Sequence, residues 1–453
     1  MQDLNIQNQD IQLGSAHIVK SKDFQFFDRI VYMKENMQFN HAYKHYLKIK
    51  NSEDKDKKIL NSFKERYAKY RLDWLESPNK QYANSNNFLS SSNEIPNPLC
   101  VDIETASICD LGCPHCFREY IITPDKVMTE KLYKKIINSI SKLNVPSIKL
   151  NWRGEPLLHP KLCEFIKYAK ENKILEVMIN TNATKLNKTM SENLINSGLD
   201  QIIFSFDGGS KKTYDKMRPG RFDKNTFENV YSNIKNFYET KKKLKSKFPT
   251  TKIQMVLTED TREEIDPFYN LFNKIVDDVT VVQYCERGGN VSELSDVNKK
   301  KIDKYIVNNN LPNDTSYMVD ASNKIYLSNK RKPCAQLFQR LMVTYDGKVG
   351  MCCHDWGAQH CIGYVDERAF NENKVINDLE NSIKKNKKGF ELLENAKKPN
   401  KFNEPSKKVE NIIDIWNGEE LNKIRTYHTN KELNKVPVCK GCEFKDTYDW
   451  FKI

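Results

Sequence analysis

No stretch of this 453-residue chain approaches the roughly 18 consecutive apolar residues needed to cross a bilayer. The opening MQDLNIQNQDIQLG lacks a basic segment followed by an apolar one, so no secretory signal is read there. The Lys/Asn-rich stretches hold little arginine and show no arginine–aromatic interleaving. The stretches KKNKKGF and KKPNKF therefore read as solvated surface rather than as a nucleic-acid face, despite a formal net charge of +13. That charge suits an acidic protein partner or an anionic substrate equally well. The expected setting is cytoplasmic, with no membrane partner. Hydrophobic residues make up 38% and charged residues 29%, enough apolar material for a core. At about 150 residues per domain the length predicts two to three domains, which excludes a small disulfide-stapled scaffold.

Residues 1–95 are polar and lysine-rich. Within FKERYAKYRLDWL, Phe63, Tyr67, Tyr70 and Trp74 recur at helical spacing, and NSNNFLSSSN reads as a linker after them. From about 98 the character changes. Strand-like runs VDIET (101–105), SIKLNW (147–152), EVMIN (176–180), QIIFSF (201–206), KIQMVL (252–257) and VTVVQY (279–284) alternate with helical segments. The clearest helix is 129–143, with Leu132, Ile136, Ile140 and Leu143 on one face and Thr129 as its cap. Such alternation predicts parallel βα units over 96–290, an α/β barrel, open or closed, with its chemistry at the C-terminal strand ends. Residues 291–330 are expected to connect this unit to a further one at 331–453. There LMVTYDGKVGMCC reads as a hairpin turning at Asp346-Gly347, and 366–410 as a Lys-rich surface insertion.

Twelve cysteines in a reducing compartment are thiols or metal ligands rather than disulfides. Cys100, Cys163, Cys285, Cys353 and Cys361 stand apart, and the other seven form two constellations. Cys109, Cys113 and Cys116 follow the first barrel strand as CxxxCxxC. Three thiolates so spaced can hold three corners of one iron–sulfur cubane and leave the fourth iron open to a small molecule. Zinc is the competing occupant, but it prefers four ligands, and His115, between two of the cysteines, is poorly placed to be the fourth.

CDLGCPHC at that position resembles the cluster loop of the radical S-adenosylmethionine (SAM) superfamily. The likeness continues along the chain. Asn151-Trp152-Arg153-Gly154-Glu155-Pro156 stands where the family carries Gly-Gly-Glu-Pro, with Arg153 for the first glycine. The resemblance implies that Glu155 accepts hydrogen bonds from the SAM amino group. Thr181 and Asn182 fall at a Thr-Asn-Gly position, with Ala183 for the glycine. Ser205 and Asp207 end the fourth strand, where the family contacts the ribose or the methionyl carboxylate, and Arg218 matches an arginine that pairs with that carboxylate. His115 replaces the usual aromatic residue before the last cluster cysteine.

Cys334 and Cys352, flanking the predicted hairpin, and the distant pair Cys439 and Cys442 resemble the SPASM/twitch extension in its shorter form. The resemblance implies one auxiliary [4Fe–4S] cluster with four thiolate ligands; Cys353 is an alternative to Cys352, and zinc remains a competitor at this second site. The implied fold is a partial (β/α)6 radical SAM barrel with a C-terminal α+β SPASM/twitch domain and a helical N-terminal extension.

The implied chemistry is reductive cleavage of SAM at the first [4Fe–4S] cluster, hydrogen abstraction by the 5′-deoxyadenosyl radical, and passage of a second electron to the auxiliary cluster. A base would take up the proton, with Asp355, His354, Glu286 and Tyr284 as candidates. The first expectation for substrate is a hydroxylated small molecule of sugar or aminocyclitol type, oxidised by two electrons. A peptide or protein side chain is second, and a non-catalytic iron–sulfur or zinc protein that binds nucleic acid is third. A flavodoxin or ferredoxin is the expected electron donor.

Overall fold

The computed structural model describes residues 95–246, 248–284, 299–311, 315–319, 325–328, 330–385, 401–440, 442, 444 and 447–452, with 17–18 and helical positions between 69 and 81. Each predicted barrel run is a strand: β2 (Cys100–Ile103), β3 (Ser147–Lys149), β4 (Glu176–Thr181), β5 (Gln201–Ser205), β6 (Thr250–Leu257) and β7 (Asp278–Gln283). Neighbours pair in parallel in sequence order, with Cys100 opposite Ser147, Ile148 opposite Val177 and Ile179 opposite Ile202. The strands are rich in Ile and Val because helices cover one face and a site fills the other. The sheet does not close, so the barrel is partial.

Helices α1 (Glu130–Lys142), α2 (Leu162–Glu171), α3 (Lys188–Asn196), α4 (Lys211–Met217), α5 (Phe227–Lys243) and α6 (Ile265–Phe272) lie between the strands. Thr129 caps α1 by accepting from the Leu132 amide, and Leu132, Ile136 and Ile140 are buried in one stripe, as the spacing predicts. Asn187, Ser210 and Thr226 cap α3, α4 and α5 in the same way.

Helical positions at 69–81 close the start of the barrel strands. Tyr70 and Trp74 are buried, meeting edge to face at 6.1 Å. The Tyr70 hydroxyl donates to Ser147 Oγ at 3.0 Å and Glu176 Oε2 at 3.2 Å, the first residues of β3 and β4. Phe63 and Tyr67, expected on the same face, lie outside the described residues.

The C-terminal part joins the same sheet. Strand β10 (Arg340–Val343) pairs in parallel with β2, Leu341 opposite Val101, and β11 (Lys348–Gly350) and β12 (Cys361–Tyr364) continue antiparallel. The turn is at Asp346-Gly347. Gly347 has φ +101°, and a Cβ there would meet Asp366 Cβ at 2.6 Å, so glycine is needed on both counts. At the opposite edge β1 (His17–Ile18) pairs antiparallel with β7. The stretch expected as a connector holds helix α7 (Lys299–Asn308) and strands β8 (Ser316–Val319) and β9 (Ile325–Ser328); with β13 (Phe451–Lys452) these strands form a second sheet. Past Asp366 the chain forms α8 (Glu372–Lys385) and returns at 401–410 along β12, where the Glu410 amide donates to the Tyr364 carbonyl at 2.8 Å. Helices α9 (Ile412–Trp416) and α10 (Glu419–Thr429) then pack on the core. Among the described residues no helix is long and apolar enough to cross a membrane.

Candidate active site

The loop after β2 carries Cys109, Cys113 and Cys116, and backbone bonds from three directions hold it. The Glu155 amide donates to the Ile108 carbonyl at 2.8 Å, Gly112 to Pro219 at 2.9 Å and Arg221 to Asp110 at 2.8 Å. A Cβ on Gly154 would stand 2.4 Å from the carbonyl oxygens of Ala106 and Ile108, so only glycine lets the two loops approach. Asp110 anchors the loop to the end of β4: Asn182 Nδ2 donates to Asp110 Oδ1 at 2.8 Å and Thr184 Oγ1 to Asp110 Oδ2 at 2.6 Å. Burial pushes the Cys109 thiol up to about 12, and Cys113 well above its ordinary range.

Glu155 is buried between this loop and β4. Its carboxylate accepts from the Leu157 amide at 2.9 Å, the Thr181 hydroxyl at 2.7 Å and the Asn182 amide at 2.7 Å. Burial raises it to about 7, against those three donors. Ala183 sits at φ +60°, the left-handed backbone that glycine holds freely, and its amide donates to Thr181 Oγ1 at 3.0 Å. Arg153 turns back from its loop: Nε and Nη2 donate to the two oxygens of Glu104 at 2.7 and 2.8 Å, a bidentate pair with both partners buried. Glu104 also accepts from the Tyr345 amide at 3.2 Å, linking β3, β2 and the β10–β11 turn.

A cavity of about 300 Å³ opens above the strand ends, lined by all three loop cysteines, Glu155, Thr181, Asn182, Ser205 and Arg218. Phe117, Trp152 and Trp356 form an aromatic wall; Trp152 is 6.4 Å from Trp356 and donates through Nε1 to the Cys353 carbonyl at 3.0 Å. Cys353 and Tyr284 line the same cavity. On its inner side lie Asp102, Lys149, Asn180, Gln254 and Arg340, with Arg340 donating to Asp102 at 3.1 Å. Asp207 stands behind the lining, fully buried. It accepts from Arg218 Nε at 2.6 Å and the Val256 amide at 2.7 Å, and lies 3.1 Å from His115 Nε2. Burial opposes the Asp207 charge, but Arg218 and His115 outweigh it and hold the carboxyl below its ordinary range.

The second set comes together from three places in the chain. Cys334 precedes a short 3-10 turn, Cys352 follows β11, Cys439 lies in the short helix Pro437–Lys440 and Cys442 just after it. Burial, and then the nearness of Cys353, Cys442, Cys439 and Cys334, pushes Cys352 well above its ordinary range. Amides of His354 and Phe444 donate to the sulfurs of Cys352 and Cys442 at 3.3 and 3.4 Å. His428, on α10, reaches Cys439 Sγ through Nε2 at 3.3 Å.

The radical SAM superfamily profile matches residues 103–272, and the SPASM iron–sulfur cluster-binding domain matches residues 334–388. The chain belongs to the radical SAM superfamily. Its similarity to a probable GTP 3′,8-cyclase of Methanocaldococcus jannaschii is 27% identity over 259 residues, 55% of this chain and 83% of the relative. A probable GTP 3′,8-cyclase of Pyrococcus horikoshii is 30% identical over 137 residues, 29% of this chain and 42% of the relative, less than half its length. Among solved structures, Streptococcus suis SuiB bound to precursor peptide SuiA aligns at TM-score 0.47 and 15% identity over 91% of this chain and 86% of that one. BtrN in complex with AdoMet and 2-DOIA aligns at TM-score 0.42 and 16% identity over 79% and 99%.

This radical SAM enzyme has a SAM-binding [4Fe–4S] cluster, SAM and an auxiliary iron–sulfur cluster as its cofactors. The donor sets fit them. Buried thiols with raised pKa become thiolates only against a cation, and amide N–H groups already point at the second set of sulfurs. In the first set, His115 Nδ1 is buried without a hydrogen-bond partner in a residue that lines the cavity.

The expected bases and SAM-contacting residues fall in different surroundings. Asp355 does not line the cavity. Its buried carboxylate accepts from its own turn, the amides of Gln359 and His360, both at 2.9 Å, the bonding of a structural cap. His354 packs on Phe444 at 4.6 Å, away from the cavity lining. Asp207 meets His115 and Arg218 instead of lining the SAM side. Tyr284 does line the cavity, and Glu286 lies outside the described residues. Sequence reading passed over Asp110, Lys149, Arg340 and His428. Asp110 and His428 each stand close to a cysteine motif, whereas Lys149 and Arg340 carry no local sign beyond a charge inside an apolar strand.

Proposed function

We propose that this enzyme abstracts a hydrogen atom from a small, hydroxylated molecule held in the cavity and oxidises it by two electrons. One observation carries the reading: the same cavity is lined by Cys109, Cys113 and Cys116 on one side and by Asp102, Lys149, Asn180 and Arg340 on the other. Bound there, the cluster and SAM supply a 5′-deoxyadenosyl radical. Cys109, Cys113 and Cys116 would hold the first cluster, and Cys334, Cys352, Cys439 and Cys442 the second. Glu155 would accept from the SAM amino group, positioned for it by Thr181 and Asn182. Arg218 would meet the SAM carboxylate with Asp207 behind it, and Ser205 would face the ribose. Phe117, Trp152 and Trp356 shield the reacting centre from water. Asp102, Lys149, Asn180 and Arg340, polar side chains brought to one cavity, favour a polar substrate bearing hydroxyl groups. Relatives named GTP 3′,8-cyclase support a nucleotide as the second reading.

Anaerobic reconstitution tests this. About eight irons per chain, and 5′-deoxyadenosine after reduction with SAM and substrate, are expected. Turnover of GTP or of a peptide in a screen that leaves sugars and aminocyclitols unchanged would replace the first reading. A flavodoxin or ferredoxin is the proposed electron donor.

The same reading predicts a pH dependence. Glu155, raised to about 7 in the protein without SAM, must be ionised to accept from an ammonium group. Protonated Glu155 therefore favours the SAM-free fold below its unfolded pKa, and that contribution is lost as the pH rises through about 7. SAM affinity should weaken as the pH falls below that value, approaching about tenfold per unit. Glu155→Gln should bind more weakly with a flat profile, as read by titration calorimetry one unit either side of the wild-type value.

A further inference from the structure

Helix α10 buries Leu421, Ile424, Arg425 and His428 along one face. Arg425 fixes its rotation: the guanidinium lies 4.2 Å over the Trp416 ring and donates to the carbonyls of Trp416 at 2.7 Å and Leu337 at 3.0 Å. His428, one turn on, is thereby set between two of the cysteines. Its Nδ1 receives the Cys334 amide at 3.2 Å, and its Nε2 lies 3.3 Å from Cys439 Sγ. A backbone N–H can only donate, so Nδ1 bears no proton. The ring is neutral, its proton is on Nε2, and that N–H is directed at the sulfur.

We propose that His428 is a positioning residue of the auxiliary cluster: it donates a hydrogen bond to the Cys439 sulfur, fixes the Cys334 backbone, and raises the cluster's reduction potential. The inference rests on Cys439 being a ligand of that cluster. Hydrogen bonds to cluster sulfurs are one of the levers that set the potential, and a donor favours the reduced state, which carries one more negative charge. A higher potential makes this cluster a better sink for the second electron of the oxidation proposed above. The ring adds an imidazole N–H to the amide donors at Cys352 and Cys442, so the three sulfurs are bonded through three different segments.

The test is a redox titration of the two-cluster enzyme followed by electron paramagnetic resonance. His428→Leu should make the reduction equilibrium of the auxiliary cluster about tenfold less favourable, which is about 59 mV for a one-electron couple. The SAM-binding cluster should not move, and His428→Gln, which keeps an N–H at similar reach, should recover most of the shift. An unmoved potential in His428→Leu overturns the proposal, as does a shift of equal size in His428→Gln. Unaltered enzyme carrying 15N in the histidine rings alone, so that the His354 amide at Cys352 is silent, gives a test that needs no variant to fold. A nitrogen coupling on the reduced auxiliary cluster is expected, and its absence overturns the proposal. In that same enzyme about four irons instead of about eight would overturn the ligand reading as well. About eight irons without the coupling would overturn only the role of His428.

Discussion

Cys113→Ala is expected to abolish 5′-deoxyadenosine formation while leaving the fold intact, and to lower the iron content from about eight to about four per chain. The loop that carries Cys113 is held by backbone bonds with Glu155, Pro219 and Arg221, none of which uses the Cys113 side chain. Its shape should therefore survive loss of the thiol. What is lost is the third thiolate of a set that has no fourth, and a cubane held by two does not keep its iron. Cys439→Ala provides the contrast. It should lower iron by a similar amount, yet retain SAM cleavage, because the cavity holding the first cluster does not depend on Cys439. A Cys113→Ala protein that still formed the nucleoside at the wild-type rate would remove the first set from the reaction.

Arg153→Leu should be the most destabilising single change on the barrel side, by about 3–5 kcal/mol. The wild-type guanidinium and the Glu104 carboxylate are both buried and joined by two bonds, so truncating the arginine leaves a charge in the interior with one remaining donor, the Tyr345 amide at 3.2 Å. Against a typical total of about 5–15 kcal/mol that is a large fraction. The Glu104→Leu/Arg153→Leu double variant should recover most of the loss, because a buried pair can be exchanged for apolar residues at little cost. Denaturant midpoints of the metal-free proteins decide it. A double variant no more stable than Arg153→Leu alone would mean that shape, not charge, is what the pair provides.

Much of the barrel was legible because its physics is local. Strands flanked on one face by helices show apolar residues at alternate positions, the helices need a stripe, and 147–152 or 129–143 show these within about fifteen residues. The three-cysteine loop was legible for the same reason: its spacing alone brings three thiols to one site. The rest depends on partners far apart in sequence. Nothing near Arg153 announces Glu104, and nothing near Cys334 announces His428. Asp355 shows how proximity in sequence differs from placement in space. It stands close to cysteines and so looked chemical, but a short carboxylate in a turn bonds first to the amides just after it, Gln359 and His360. Arg153, a departure from the family's glycine, is explained only once β10 is seen beside β2, since its partner Glu104 also holds the turn that follows β10.

The parallel pairing of β10 with β2 limits how this protein can be recombined. If the chain were cut near 330 to isolate the barrel, the row of N–H and C=O groups on β2 now bonded to 340–343 would become a bare border, a template for another copy to stack upon. Exchanging the C-terminal portion for that of a relative would fail for the same reason unless the incoming piece brought an equivalent strand in the same register, Arg340 against Cys100 and Val343 against Ile103. The two cysteine sets are thus mounted on one continuous hydrogen-bonded lattice. The placement of one set relative to the other is fixed when the chain folds, not when two modules happen to dock.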